Sequence, residues 1–144
     1  MNTNPYSKNT AYKKTQVETA SPEALILMLY DGAIKFICQA EIAFEEHNIE
    51  QTSNLLLRIQ AIFAELMTAL DKEKGGEIAE NLERLYVFFL EKLGDANVRK
   101  DPAPMLEIKP LVQNLRNTWE LAMQKHQNSA QVNNPPRPRL NVAV

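Results

Sequence analysis

The sequence predicts an all-α protein, an antiparallel up-down four-helix bundle with an N-terminal capping segment and a flexible C-terminal tail. Apolar residues recur every three or four positions over residues 21–125, which is the period of a helix and not of a strand. Only 4 glycines occur in 144 residues. Long helices joined by short connections favour antiparallel neighbours. The chain is therefore divided into an N-terminal segment (1–20), a bundle (21–125) and a tail (126–144).

The first helix has a clear start signal. Ser21 suits the N-cap, Pro22 suits the first helical position, and Glu23 lies at the positive end of the helix dipole. We expect this helix to run to about His47. It carries two adjacent apolar stripes, which is more than one core-facing side requires. The helix therefore has a second apolar face that packing against one core does not require.

Asn48 begins the second predicted helix, with Gln51 in the capping-box position. We expect this helix to end in the stretch 72–76, where the pair Gly75-Gly76 allows a positive φ and a tight reversal. The third helix then starts near Glu77 and again carries more apolar residues than one core needs. Before the fourth helix, the prolines that follow Asp101 predict a short turn over 103–108.

Composition and charge exclude several classes of function. The net charge is −2 although both end segments are positive, so the predicted bundle is acidic and unsuited to the phosphate backbone of nucleic acids. The single Cys38 cannot form an internal disulfide, and no signal peptide or bilayer-length apolar run is present. We predict a cytoplasmic protein with no nucleic-acid partner and no membrane insertion.

The residues that catalysis or metal binding would need are missing from the pattern. The two histidines, His47 and His126, lie at a helix end and in the tail, and neither a phosphate-binding glycine loop nor zinc-ligand spacing occurs. The Glu-x-x-His pattern of a di-iron bundle is also missing. We therefore predict no enzymatic activity, no cofactor and no metal site.

The surplus apolar faces of the first and third helices predict a groove for a partner. On the third helix we expect one row to form the core, namely Leu82, Leu85 and Phe89. We expect the neighbouring row of the third helix to point to the side of the core and to form a groove with the second apolar stripe of the first helix. The predicted groove residues are Ile26, Tyr30, Ile34, Tyr86, Leu90 and Leu93. A displaceable N-terminal cover is predicted over this groove, consisting of Tyr6, Tyr12, Gln16 and Val17.

A set of short motifs resembles the FliS family of flagellin export chaperones. The run Leu29-Tyr30-Asp31-Gly32-Ala33 is distinctive because Asp and Gly are poor helix formers within a very apolar helix. The other motifs follow in the same order and spacing over residues 4–125: Asn4-Pro5-Tyr6, Tyr12, Gln16-Val17, Thr19-Ala20-Ser21-Pro22, Gly75-Gly76-Glu77-Ile78-Ala79, Leu85-Tyr86, Ala96-Asn97 and Trp119.

The resemblance implies a four-helix bundle in the bacterial cytoplasm that binds the C-terminal segment of monomeric flagellin. It also implies that the chaperone prevents premature polymerisation and aids delivery to the flagellar type III export apparatus, including contact with its export gate. A generic helical adaptor or a homodimerisation module would use the same apolar faces and stays an open alternative. A membrane-surface helix would need a Lys/Arg-rich polar face, against which the acidic bundle argues.

Overall fold

A computed structural model of the protein describes residues 19–133, with side chains up to residue 129. Nearly all of this stretch lies in four α-helices: α1 (Pro22–Glu45), α2 (Ile49–Thr68), α3 (Lys72–Arg99) and α4 (Ala103–Asn133). No strand occurs within the described residues. The predicted all-α class with four helices is confirmed. None of these four helices is both long enough and apolar enough to span a bilayer.

The four helices pack as a ring in which consecutive helices are neighbours and α4 returns to α1. Cross-helix contacts show the relative directions. Glu41, late in α1, accepts a hydrogen bond at 2.6 Å from Lys109, early in α4, whereas Asp31 pairs at 2.7 Å with the later Arg116. Since later residues of α4 meet earlier residues of α1, these two helices run antiparallel.

The predicted caps of α1 and α2 are confirmed. The Ser21 hydroxyl accepts a hydrogen bond at 3.2 Å from the Ala24 amide, and Pro22 follows as the first helical residue. The Asn48 side-chain oxygen accepts a hydrogen bond at 3.1 Å from the backbone amide of Gln51. The first helix ends at Glu45, slightly before the expected His47, because the chain reverses through a positive φ of 55° at His47.

The expected end of the second helix in the stretch 72–76 is wrong because α2 already ends at Thr68, whereas the positive φ expected at Gly75-Gly76 is confirmed at Gly76. The chain turns earlier, and α3 begins at Lys72 because the Asp71 carboxylate caps it by accepting from the Glu73 and Lys74 amides, both at 3.1 Å. Gly76 lies inside α3 with φ 50° and ψ −125°, a conformation that interrupts the helix with a kink and that a residue with a Cβ avoids.

The expected turn over 103–108 is also wrong. Asp101 accepts a hydrogen bond at 2.9 Å from the Ala103 amide, and α4 begins there. Met105 and Ile108 are fully buried, so apolar burial favours helix through this stretch, while Pro110 lies on an exposed side of the helix. The helix also continues past the expected boundary at residue 125 to Asn133. Residues 134–144 of the predicted tail lie outside the described part of the chain.

Candidate functional site

The core of the bundle is closed along one half of its length and open along the other. Every buried residue of α1 lies at Tyr30 or later, and every buried residue of α4, as far as its side chains are described, lies at Val112 or earlier. Because the two helices are antiparallel, these buried stretches face each other. We call this part, residues 33–45 of α1 with 103–112 of α4, the closed half.

The open half is formed by residues 22–32 of α1 and 113–129 of α4, together with the end of α2 and the start of α3. All five residues from Leu25 to Leu29 are only half-buried. Leu115 and Trp119 of α4 are also half-buried, although they pack against the core. The apolar surface of this half therefore stays partly accessible.

An apolar groove of about 340 Å³ lies in the open half. Four helices contribute to its walls, and Asp71, Lys74 and Gly75 lie with them at the α2–α3 turn. We call it the tyrosine groove, and its other lining residues are Ile26, Tyr30, Leu66, Ala69, Leu70, Ile78, Ala79, Leu82, Tyr86 and Trp119.

Two tyrosines meet across the bundle at this groove. The hydroxyls of Tyr30 in α1 and Tyr86 in α3 share a hydrogen bond, and each residue is only 2% exposed. Burial raises the pKa of both phenols, and the bond to Tyr86 raises the pKa of Tyr30 further. Both rings are therefore neutral at physiological pH. The pair places two hydroxyl groups in surroundings that are otherwise apolar.

Trp119 connects α4 to the start of α1 beside the groove. Its indole N–H donates a hydrogen bond at 2.9 Å to the backbone carbonyl of Glu23. That carbonyl lies in the first turn of α1, just before Ile26 of the groove wall. The indole ring is half-buried and packs against the core, so it supplies apolar surface to the wall while its N–H is satisfied.

Three of the six residues predicted for a partner groove come together in the tyrosine groove, namely Ile26, Tyr30 and Tyr86. Ile34 and Leu90 are half-buried and pack against the core but do not line this groove. Leu93 is fully buried, so it is not accessible to a partner in this structure. Whether any of the six contacts a partner stays a prediction.

The predicted core row of α3 is only partly right. Phe89 is fully buried as expected, but its partners in the core are Tyr86 and Leu93, while Leu82 and Leu85 are half-buried. The expectation that Tyr86 and Leu93 lean out of the core is therefore wrong. Tyr86 tolerates burial because its hydroxyl has a partner on the opposite helix, which removes most of the cost of a buried polar group.

The predicted cover residues Tyr6, Tyr12, Gln16 and Val17 lie outside the described part of the chain. Ten of the thirteen residues that line the groove were not predicted in this role. Ile78 is one of these ten residues, and it is 71% exposed at the groove. The signal for it was the conformational freedom of Gly76, since a kink there changes the direction in which the following residues point.

The groove has the character of a binding surface. Among residues 19–133 no cluster of three His, Cys, Asp or Glu side chains is placed to hold a metal ion. A larger cavity, of about 460 Å³, opens at the end of the closed half, but Glu41, Glu45 and Lys100 share its walls with apolar residues. The tyrosine groove combines apolar walls with a neutral hydroxyl pair, which suits an amphipathic segment of a partner.

Comparisons with known proteins point the same way. The model of the family described as flagellar protein FliS matches residues 2–126. The chain is 37% identical over 109 residues to the flagellar secretion chaperone FliS of Campylobacter jejuni, a match covering 76% of this chain and 85% of that protein. It is 34% identical over 121 residues to the flagellar secretion chaperone FliS of Bacillus subtilis, covering 84% and 87%. The protein of that name from Salmonella typhimurium is 36% identical over 115 residues, covering 76% and 85%.

Proposed function

This chain belongs to the flagellar protein FliS family, and we propose that it binds the C-terminal segment of monomeric flagellin in the cytoplasm. In this role it prevents premature polymerisation and aids delivery of flagellin to the flagellar type III export apparatus, whose gate is a further partner. The matched relatives are secretion chaperones, a role without a catalytic step, and the chain is accordingly not an enzyme. The observation that carries the proposal is the tyrosine groove in the open half of the bundle.

The groove supports this proposal because it offers apolar surface that the fold does not use. An amphipathic helix in water gains free energy by laying its apolar face into such a groove. Ile78 is exposed at the groove, and Ile26 and Trp119 are half-buried, so a partner would remove further apolar area from water. A flagellin segment held in this way has its own apolar face covered and is unavailable for filament contacts.

The proposal is tested by titrating the protein with full-length flagellin from the same bacterium and with a flagellin that lacks its C-terminal segment. We expect the full-length protein to bind with a negative heat-capacity change, the marker of apolar burial, and the truncated one not to bind. Equal binding of both forms would contradict the proposal. A generic adaptor or homodimerisation module would instead show self-association in sedimentation and no dependence on the flagellin C-terminus.

We further propose that the N-terminal segment covers the groove until flagellin arrives. The described chain enters α1 at Ser21, and Ile26 of the groove wall follows within two turns. A segment of 18 residues spans at most about 60 Å when extended, which is ample to reach the groove. Its Tyr6, Tyr12, Gln16 and Val17 would contact the apolar walls.

Deleting residues 2–18 should raise the fluorescence of a dye that binds exposed apolar surface, and it should tighten flagellin binding because no cover is displaced. The matched control replaces Tyr6, Tyr12 and Val17 by Ser in the full chain, which keeps the length of the segment and removes its apolar groups. Unchanged dye binding together with unchanged flagellin affinity would refute the cover.

A further inference from the structure

The two hydroxyls of the tyrosine groove bring one more hydrogen than the hydrogen bond between them uses. Two phenol groups bring two hydrogens, and the single bond between Tyr30 and Tyr86 engages one of them. Neither hydroxyl has a second hydrogen-bond partner within residues 19–133. One O–H donor is therefore left over, on side chains that are 98% removed from solvent and that line the groove.

The polar side chains of the groove wall do not accept the spare hydrogen in this structure. Trp119 presents only a donor, and its N–H is already bonded to the Glu23 carbonyl. The Asp71 carboxylate caps α3 by accepting from two backbone amides through its Oδ1, and within the described residues it makes no hydrogen bond to either tyrosine. The remaining walls near the pair, such as Leu66 and Leu82, are apolar. In the open groove, water is the available acceptor for the spare hydrogen.

A partner that fills the groove removes that water, and its chemistry then decides the outcome. A wholly apolar face would leave the O–H donor buried and unpaired, which costs more than a hydrogen bond contributes. A carboxylate would be buried beside two neutral phenols, while the cation among the lining residues, Lys74, lies at the α2–α3 turn and not in the pair. A neutral oxygen, as in Ser, Thr, Asn or Gln, satisfies the donor at the lowest cost.

We propose that the Tyr30–Tyr86 pair determines specificity in the groove by requiring a neutral hydrogen-bond acceptor within the otherwise apolar face of the bound segment. This inference rests on the proposed function, because it describes the flagellin segment at the same groove. The two tyrosines act as a selection device, since a site with a buried polar group rejects a ligand that fails to pair with it.

The test is a double-mutant cycle with the flagellin C-terminal segment as the probe. Each Ser, Thr, Asn and Gln of that segment is replaced in turn by Ala, and each peptide is titrated against the wild-type protein and against Tyr30→Phe/Tyr86→Phe. We expect one position at which wild type loses about 5- to 100-fold in affinity, since a buried donor is left unpaired there. At that position the double Phe variant should lose little.

If wild type binds the segment and no position shows this coupling, the selection device is overturned while the proposed function stands. If wild type does not bind the segment, the proposed function falls and the inference falls with it. Phe preserves the ring and its packing, and circular dichroism checks the fold. Should the double variant not fold, the wild-type protein alone decides, because Ala at the critical position should weaken binding and a different neutral acceptor at that position should restore it. If no neutral acceptor restores binding at any position that Ala weakens, the inference is overturned.

Discussion

The two halves of this bundle are built from the same four helices, yet only one of them is closed. In the closed half, α1 presents Ala33, Ala40 and Ala43 around Ile37, and all four are at most 3% exposed. Small side chains at a contact let helix axes approach closely. In the open half the same helix presents the larger residues 25–29, and none of them is fully buried. The size of the side chains along α1 thus distinguishes the closed half, where the core excludes solvent, from the open half, where it does not.

This difference implies a division of roles. The closed half supplies buried apolar area and so contributes most of the folding free energy. The open half keeps apolar area partly exposed, at a cost in solubility that a partner or a cover relieves. Substitutions in the closed half should therefore change stability, and substitutions in the open half should change binding.

The largest effect is expected for Ile37→Ala in the closed half. Ile37 is fully buried between helices, and removal of its outer carbons leaves a cavity that costs about 2–5 kcal/mol. The melting temperature should fall by roughly 10 °C, because each kcal/mol shifts it by about 2–8 °C for chains near this size. Thermal melts followed by circular dichroism measure this change.

The matched control for that variant is Ile26→Ala in the open half, the same substitution on the same helix. Ile26 is half-buried and lines the groove, so we expect a smaller loss of stability and a clear loss of flagellin affinity. Equal loss of melting temperature in both variants would show that the two halves are closed to the same degree, and would remove the comparison on which the groove rests.

A smaller effect, and one confined to binding, is expected for Ile78→Ala. Ile78 is 71% exposed beside the groove, so its removal should change stability by less than about 0.5 kcal/mol. If flagellin buries it, affinity should fall by about 10- to 60-fold, since Ala lacks three carbons of Ile and each buried CH₂ contributes about 0.8 kcal/mol. Calorimetric titration with flagellin measures the change.

Val98 gives the control for Ile78, because it is also apolar, also on α3 and 85% exposed, but it lies at the far end of the helix beside the closed half. Val98→Ala should leave both stability and flagellin affinity unchanged. A loss of affinity in Val98→Ala equal to that in Ile78→Ala would mean that flagellin binds along the whole of α3 and not at the open half.

Much of the fold could be predicted from the sequence because the signals involved are local. The caps at Ser21 and Asn48 depend on a side chain and an amide three residues away, and both were predicted. The start of α3 was not, because Gly75-Gly76 is a stronger reversal signal than Asp71 when only the local sequence is considered. The buried positions of α4 favoured helix where the prolines favoured a turn, and burial is decided by the whole bundle.

The candidate site was predicted only in part for a similar reason. Apolar surplus on α1 and α3 identified Ile26, Tyr30 and Tyr86, but periodicity alone does not tell which of two adjacent rows faces the core. That choice depended on the contact between two hydroxyls 56 positions apart in the chain. Leu93 follows Tyr86 by seven residues on the same side of α3, so the contact that buries one also directs the other inward.

The smallest effects are expected at two ion pairs that connect α1 to α4, one in each half. Glu41–Lys109 lies in the closed half, and Asp31–Arg116 lies in the open half, where Arg116 also contacts Glu120. All of these side chains are partly exposed, so Glu41→Gln and Asp31→Asn should each lower the free energy of unfolding by about 0.2–1 kcal/mol. Urea unfolding at low salt and at about 1 M salt, where charges are screened beyond roughly 3 Å, measures both losses.

The pH dependence of the closed-half pair has a definite sign. The hydrogen bond to Glu41 raises the pKa of Lys109 above its ordinary value, so the pair stabilises the fold at neutral pH and loses this contribution as alkaline pH deprotonates the lysine. Glu41→Gln should therefore lower the free energy of unfolding by the same amount at pH 6 and at pH 8.

The comparison of the two ion pairs tests what makes the halves different. Similar small losses of unfolding free energy at the two pairs would mean that apolar packing, and not charge, makes the halves different. A loss above about 2 kcal/mol in Asp31→Asn alone, more than a surface pair supplies, would instead show that an electrostatic contact holds the open half together.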